Sequence, residues 1–240
     1  MQSKEFFLSK LEESHDFGGG MISILDLGSG QSRSALPLLG RYPQTRYVGI
    51  EPSETAAAAA RTLLAPFPNA RVYTQLAYEP LPDEAPFDIV LSLSVLEHVK
   101  QLDRFLANSI AMTKSGGRII HRYDLGHSLH PSSIKERFQV FLGNHFPKLL
   151  PEHKFVRYVD PDEVVRLLEK SGAHVDGITY HQMPDHKRFL KDFVPTSDEV
   201  ETLVTRLSEW EFDISPHLSG MQKAKRELLF PAISVWATKR

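Results

Sequence analysis

The chain has no cysteine among its 240 residues, which excludes disulfide bridges and thiolate chemistry. It has no apolar run long enough to span a membrane, and residues 1–10 do not have the pattern of a targeting segment. The formal net charge is only −2, so no strong overall field attracts the phosphate backbone of a nucleic acid. We therefore expect a cytoplasmic protein that has neither a nucleic acid nor a membrane as its partner.

Length and composition predict one domain. Hydrophobic residues make up 41% of the chain and charged residues 24%, which is enough apolar material for one sizeable core. The regular alternation of elements breaks at two places, about 124–158 and about 183–226. Each of these stretches is too short and too interrupted to bury a core of its own. We expect a single domain over residues 1–240 that carries these two segments as inserts.

The stretch 21–30 predicts a buried strand that turns sharply into a helix. An apolar run containing Asp26 is followed by Gly28, Ser29 and Gly30. Glycine lets the backbone turn tightly and approach a ligand, and the next helix directs its first amides toward that ligand. The same pattern occurs in dinucleotide-binding enzymes and in turns that bind nothing. Taken alone, the motif therefore predicts a local shape and leaves the ligand open.

A second predicted strand, 45–51, ends at Glu51, which lies 21 residues after Gly30. A carboxylate at the tip of the neighbouring parallel strand can accept hydrogen bonds from both hydroxyls of a ribose. The residues that follow, from Pro52 through an alanine run, predict the start of a helix. This spacing favours a nucleoside site over an ordinary exposed acid at the end of a strand.

Further strands are predicted at 71–76, 86–93, 118–123, 174–181 and 228–238. Helical patterns separate them, and helix-capping signatures stand at Asp160 and Thr196. Such alternation predicts an α/β fold with a doubly wound, mostly parallel sheet whose ligands bind at the carboxyl ends of the strands. The last strand is expected to pair with 174–181 in the antiparallel direction.

Five segments in order resemble the motifs of class I S-adenosylmethionine-dependent methyltransferases: 25–30, 49–51, 87–90, 94–99 and 114–117. The resemblance implies a seven-stranded, Rossmann-like sheet with an antiparallel last strand and helical inserts, and S-adenosylmethionine as the cofactor. We expect the two inserts to form the pocket of the methyl acceptor and its cover, because each emerges beside the carboxyl edge of the sheet, where ligands of open α/β sheets bind. The sequence departs from the family pattern at Ser32, where many relatives have a third glycine, and at Leu76, where an aspartate often contacts adenine.

By the same resemblance, the cofactor-binding residues fall into four groups. Those around the methionine part are Asp26, Gly28, Ser29 and Gly30. The ribose is held by Glu51, with Pro52 beside it. Adenine is bordered by Ala77 and Tyr78, and the sulfonium side by Ser92 and Leu93.

Two sets of residues are candidates for the catalytic base, which an acceptor hydroxyl requires. His98 follows the fourth strand, and its pKa range suits a base, but in the family that the sequence resembles this histidine is often only a wall residue. His121, Asp124 and His127 lie at the end of the fifth strand, where a histidine and an aspartate could act together. The alternative for His121 is a hydrogen-bonded position in the core. A metal held by this second set and His130 matches no standard ligand spacing, so we expect no metal.

The sequence thus predicts a methyltransferase that acts on a small-molecule acceptor, favouring a hydroxyl of a sugar or natural-product scaffold. Two other functions stay open: a non-catalytic methyltransferase-like partner subunit and a nicotinamide-dependent dehydrogenase. A homodimer also stays open.

Overall fold

The computed structural model describes residues 10–13, 17, 19–79, 81, 84, 86–129, 131, 133–150, 154–182 and 196–240. Seven strands form one sheet in the order β3-β2-β1-β4-β5-β7-β6. The strands are β1 (Ser23–Leu27), β2 (Arg46–Ile50), β3 (Ala70–Tyr73), β4 (Phe87–Leu93), β5 (Thr113–Asp124), β6 (Ala173–His181) and β7 (Ala232–Lys239). Only β7 runs antiparallel, and it lies between β5 and β6. The predicted fold is confirmed, including the reversed last strand.

Helices connect these strands on both faces of the sheet. They are α1 (Leu36–Arg41), α2 (Glu54–Leu64), α3 (Leu102–Ala111), α4 (Gly126–Leu129), α5 (Ile134–His145), α6 (Pro161–Lys170), α7 (Ser197–Leu218) and α8 (Lys223–Leu229). Short 3-10 turns cover Arg33–Ala35, Leu96–His98 and Pro147–Leu149. In the part of the chain that the structure describes, no helix combines the length and the apolar character needed to cross a membrane.

The helix starts that the sequence predicts are present. The Ser53 side chain accepts a hydrogen bond from the Ala56 amide at the start of α2. Asp160 does the same for α6, and Thr196 for α7. Each cap satisfies an amide that has no partner within its own helix.

Two apolar layers enclose the sheet, because neighbouring residues of β4 point to opposite faces. Val90 belongs to the layer that packs under α3 and α6, whereas Ile89 and Leu91 belong to the layer under α1 and α2. A strand that is buried on both sides needs the continuous apolar run that residues 89–91 supply. The sheet is therefore doubly wound, as predicted.

Two predicted boundaries differ from the structure. The segment 114–117, expected to be a break before the fifth strand, lies inside β5. Gly116 has a φ of +73°, and a Cβ on Gly117 would lie 2.9 Å from the backbone oxygen of Asp88. The glycines thus allow a bulged, close pairing with β4 and do not end the strand. Leu228, expected in the last strand, lies in α8. The sequence also predicts a short amphipathic helix at 3–14, where apolar residues recur at helical spacing. Of this range, residues 10–13 lie within the described part of the chain, and they are helical.

The long helix α7 covers the free edge of β6. Ser215 accepts a hydrogen bond from the Tyr180 amide at 2.9 Å, and Glu211 accepts one from the Gln182 amide at 3.1 Å. Both side chains are buried, and their spacing of four residues places them on one face of the helix. Unpaired amides on an edge strand invite pairing with other chains. The second insert therefore contributes, through α7, to closing the sheet; residues 183–195 of that insert lie outside the described residues.

We expect Glu211→Ala to lower the free energy of unfolding by about 1–3 kcal/mol, because it leaves the half-buried Gln182 amide without its acceptor and removes the carboxylate that lies 3.5 Å from His181 Nδ1. The measurement is urea unfolding followed by circular dichroism. Glu209→Ala, at an exposed position on the same helix, is the matched control and should change stability little. Equal stabilities for the two variants would show that α7 does not hold the edge through Glu211.

Candidate active site

The glycine turn after β1 is fixed against the end of β2. Gly28 and Gly30 have φ values of +79° and +57°, which side-chain-bearing residues rarely adopt. The amides of Gly28 and Ser29 both donate to the carbonyl of Ile50, at 2.8 and 2.9 Å. A Cβ on Gly28 would lie 2.6 Å from a methyl group of Val95. The turn therefore depends on glycine for both its conformation and its packing.

A buried polar network supports the turn from beneath. The Tyr47 hydroxyl donates to Asp26 Oδ2 at 2.8 Å and lies 3.2 Å from the hydroxyl of Ser32. All three side chains are buried, and burial together with the negative charge of Asp26 raises the pKa of Tyr47, which keeps it a neutral donor. Ser32 has a φ of 55°, the left-handed conformation that a third glycine would adopt easily. The departure from the family pattern at Ser32 thus has a structural role.

Ser29 packs over β2 and not into open space. It is buried, and a Cβ on Gly49 would lie 2.6 Å from the Ser29 hydroxyl oxygen. Gly49 therefore gives the turn room to lie on the sheet. Asp26 and Ser29, both predicted to bind the cofactor, support the turn with their buried side chains.

Glu51 joins the glycine turn to the start of α2. Its Oε2 accepts a hydrogen bond from the Gly30 amide, and its Oε1 accepts one from the Ser53 amide, each at 2.9 Å. A carboxylate oxygen can accept two hydrogen bonds, so Glu51 keeps acceptor capacity toward a ligand. Its carboxylate also faces the cleft described next.

A cleft of about 560 Å³ opens at the carboxyl ends of β1, β2 and β4. Its lining residues are Gly28, Glu51, Pro52, Ser53, Leu76, Ala77, Tyr78, Ser94, Val95, His98, Val99 and Phe105. Another cavity, of about 430 Å³, lies along β3. Ligands of open α/β sheets bind beyond the carboxyl ends of the strands, so the first cleft is the candidate site.

The wall of this cleft at Ala77 and Tyr78 is supported by α3. The Asn108 side chain donates to the carbonyl of Ala77 at 2.8 Å, and the Arg104 guanidinium lies 5.4 Å from the centre of the Tyr78 ring. Both residues, which the sequence predicts at the border of adenine, therefore line the cleft. Ser53, Leu76 and Phe105 also line it, although sequence reasoning did not select them.

His98 ends the 3-10 turn after β4 and faces the cleft with an exposed side chain. Its Nδ1 lies 3.0 Å from the carbonyl oxygen of Phe155. A carbonyl can only accept, so Nδ1 carries the proton and the basic nitrogen of the neutral ring is Nε2. The Arg157 amide donates to the carbonyl of Glu97 at 3.0 Å, which ties the Phe155 segment to the turn.

His121 does not lie where the base prediction requires. It is fully buried, with Nδ1 2.9 Å from the Ser92 hydroxyl and Nε2 3.2 Å from the Ser109 hydroxyl. Burial lowers the pKa of His121 to about 3, so the ring is neutral. An acceptor cannot reach a ring that is enclosed between β4 and α3. We correct the prediction: His121 is a hydrogen-bonded core residue and not a base.

The sulfonium-side prediction is displaced by two residues. Ser92 and Leu93 are the last residues of β4 and are buried. The chain turns only at Ser94, which has a φ of 62°, and the cleft is lined by Ser94 and Val95. The predicted end of the strand at residue 93 is correct, but the last two residues of the strand were assigned to the cleft in place of the two that follow it.

Asp124 is the last residue of β5 and is half-buried. The backbone of His127 lies in α4, but its side chain, like all of His130, lies outside the described residues. Among the side chains that the structure does describe, no group of three or more metal-ligating residues comes together.

Residues 25–119 match the family model described as a methyltransferase domain. Over these residues the chain is similar to the S-adenosylmethionine-dependent methyltransferases. A protein named ubiquinone biosynthesis O-methyltransferase, from Rhodopseudomonas palustris, is 26% identical over 169 residues, or 68% of this chain and 64% of the relative. The chain thus spans slightly less than two thirds of the length of that relative. The cofactor of the family is S-adenosylmethionine.

Solved structures agree on the fold. A YcgJ protein from Bacillus subtilis has a TM-score of 0.59 at 17% identity, covering 99% of this chain and 98% of its own. The [4+2]-cyclase SpnF has a TM-score of 0.60 at 17% identity, covering 98% and 81%. Similarity at this level of identity shows a shared fold and leaves the reaction open.

The cleft fits this cofactor by the chemistry of its residues. A glycine turn in the left-handed conformation leaves space beside the backbone, and nothing lies within 4 Å of a Cβ placed on Gly30. The Glu51 carboxylate can accept hydrogen bonds from hydroxyl groups, and Leu76 and Val99 add apolar wall for a flat ring.

We expect His121→Gln to reduce the pH dependence of stability. The pKa of this histidine falls from 6.5 to about 3 on folding, so between these values only the unfolded chain binds the proton. Wild-type stability should therefore decrease as the pH falls through this window, by up to about 1.4 kcal/mol per pH unit from this group. Glutamine can hydrogen-bond to the serines but does not titrate.

The measurement is urea unfolding at about pH 7 and about pH 4, comparing the loss in the variant with the loss in wild type. His174→Gln, at an exposed position, is the control and should behave as wild type. An equal loss in wild type and His121→Gln would contradict the buried neutral state.

Proposed function

We propose that this protein transfers the methyl group of S-adenosylmethionine to an oxygen of a small-molecule acceptor. The observation that carries the proposal is one cleft that contains both the Glu51 carboxylate, held by the glycine turn, and His98. The O-methyltransferase named among its relatives supports oxygen as the accepting atom. Within this class we favour a hydroxyl of a sugar or natural-product scaffold.

In this proposal each group of cofactor-binding residues contacts a different part of the cofactor, through a side chain or through the backbone. Glu51 accepts from the ribose hydroxyls, with Pro52 beside it. Gly28 and Gly30 give the methionine part access to the backbone. The adenine wall consists of Leu76, Ala77, Tyr78 and Val99. Asp26 and Ser29 act indirectly, because they hold the turn from below.

When bound, the cofactor supplies an electrophilic methyl group. An attacking hydroxyl then becomes more acidic as its oxygen forms the new bond, so a nearby base accelerates the reaction. His98 is suited to take this proton at Nε2, because the Phe155 carbonyl fixes the tautomer and the ring orientation. Asp124 and His127, at the carboxyl edge of the sheet, stay candidates for the acceptor wall, as do the two inserts.

The second candidate function is that of a non-catalytic methyltransferase-like partner subunit. Leu76, at the position of the usual adenine contact, favours it. The network of Ser32, Tyr47 and Asp26 weakens it, since the turn is fully supported despite the missing third glycine. The dehydrogenase alternative is not retained, because the family match does not fit it.

We expect Glu51→Ala to weaken the binding of S-adenosylhomocysteine by about 1–3 kcal/mol, because the ribose hydroxyls lose a charged acceptor. Isothermal titration calorimetry on the folded variant measures this change. Glu54→Ala is the matched control, since Glu54 is an exposed acid on the next helix turn that pairs with Arg61. If wild type does not bind S-adenosylhomocysteine, the proposed function itself fails.

We expect His98→Ala to lower turnover by roughly 10²–10⁴-fold while the affinity for S-adenosylhomocysteine changes little. The assay follows methyl transfer to hydroxyl acceptors, with His174→Ala as an exposed-histidine control. A general base also predicts that the acidic limb of the pH profile disappears in the variant. Turnover that stays near wild type would assign His98 to the pocket wall.

A further inference from the structure

One segment of the surface is unusually apolar. Of the ten large hydrophobic side chains that stand out as exposed in the described part of the chain, six lie between residues 129 and 149. Five of them form what we call the apolar ridge: Ile134, Phe138, Phe141, Phe146 and Leu149. Their exposed fractions run from 50% for Phe141 to 85% for Ile134. A concentration of this kind on one surface marks an interaction site more often than isolated exposed residues do.

Helix α5 has the reverse of the usual amphipathic pattern. Ile134, Phe138 and Phe141, spaced by four and three residues, lie on its outward face. Its inward face carries Val140 and Gly143, the latter fully covered. Surface helices of water-soluble domains normally place their largest apolar residues toward the core. The outward face of α5 is therefore built to contact something other than water.

The packing of α5 prevents the ridge from turning inward. A Cβ on Gly143 would lie 1.9 Å from the carbonyl oxygen of Val156, so the helix backbone lies directly on the 155–158 segment. The Asn144 side chain accepts a hydrogen bond from the Tyr158 amide at 2.9 Å. The same segment provides the Phe155 carbonyl that holds His98. The exposed ridge is thus fixed next to the wall of the candidate active site.

The ridge is flanked by positive charge. Residues 134–149 contain Lys135, Arg137 and Lys148 but only one acid, Glu136, whereas the whole chain has a net charge of −2. Lys135 and Arg137 are exposed beside Ile134 and Phe138. A two-fold contact with a second copy would bring these like charges toward each other. A surface that is apolar and flanked by cations is instead complementary to a layer that has negative headgroups over hydrocarbon.

We propose that the apolar ridge docks this protein on the surface of an anionic lipid bilayer. The ridge side chains enter the boundary between headgroups and acyl chains, while Lys135, Arg137 and Lys148 contact the lipid phosphates. This mode needs no spanning helix. It replaces the expectation of no membrane partner, which was based on the absence of a long apolar run. Apolar side chains that lie three or four residues apart on one face of a helix do not form a continuous apolar run in the sequence.

The test is co-sedimentation of the full chain with vesicles of phosphatidylcholine containing about one third phosphatidylserine, against vesicles of phosphatidylcholine alone. We expect binding to the anionic vesicles that weakens with added salt. Phe138→Asp should reduce this binding at least roughly tenfold, since it places a negative charge on the ridge. Charge reversal at Lys135 and Arg137 together should also reduce it, by lowering the attraction to the headgroups.

Two control variants match these changes elsewhere on the surface. Leu228→Asp replaces a side chain that is 53% exposed on α8, and Lys170→Glu reverses an exposed charge on α6. Both should bind vesicles as wild type does. Equal binding by wild type and Phe138→Asp, or no binding of wild type to either vesicle, would overturn the proposal. A dimer that Phe138→Asp abolishes, without vesicle binding, would assign the ridge to a second copy instead.

This test is separate from the test of the proposed function. Vesicle binding is measured without turnover, and Phe138 has no part in the cofactor cleft. Phe138→Asp should therefore bind S-adenosylhomocysteine with wild-type affinity in calorimetry. That measurement also shows that the variant is folded.

Discussion

The site depends on how the end of β2 holds the glycine turn. The carbonyl of Ile50 accepts from two successive amides of the turn, and the carboxylate of the next residue, Glu51, accepts from Gly30. These contacts join two parallel strands exactly where their carboxyl ends meet. Two consecutive residues, Ile50 and Glu51, thus provide the anchor of the turn and the acid that faces the cleft. A shift in the register of β1 against β2 would separate the two groups, so the sheet itself sets the geometry of the site.

A second set of contacts extends from α8 to His98. Lys223 on α8 pairs with Asp160 and Asp162 at 2.6 and 2.9 Å, and Glu227 accepts from the Tyr158 hydroxyl at 2.9 Å. These bonds hold the 155–162 segment against α8, and that segment provides the carbonyl that orients His98. The last helix of the chain thereby supports a side chain in its middle. Positioning of this kind depends on long-range contacts and leaves no local pattern in the sequence.

The sequence could predict the features that repeat a short physical rule. The alternation of strands and helices, the helix caps and the place of Glu51 follow from periodicity, capping chemistry and spacing, together with the family resemblance. Ser92 shows where such rules end: β4 ends at Leu93 as predicted, but only the structure shows that the cleft is lined from Ser94 onward, where the backbone is left-handed. Ser32 shows a different limit. Its hydroxyl network with Tyr47 and Asp26 joins residues that are distant in the chain, so the sequence alone showed only a missing glycine.

The two histidines show why residue type alone does not identify a base. His121 and His98 both lie near the carboxyl edge of the sheet, but His121 is inside β5, where alternate side chains point into the core. Its neighbours Ser92 and Ser109 satisfy both ring nitrogens, and burial keeps the ring neutral at any pH at which the protein is expected to work. His98 comes just after a strand, in a turn that faces the cleft, and a single carbonyl fixes one of its nitrogens. A base must meet its substrate and exchange a proton with it, so the position beyond the end of the strand is the one that chemistry can use.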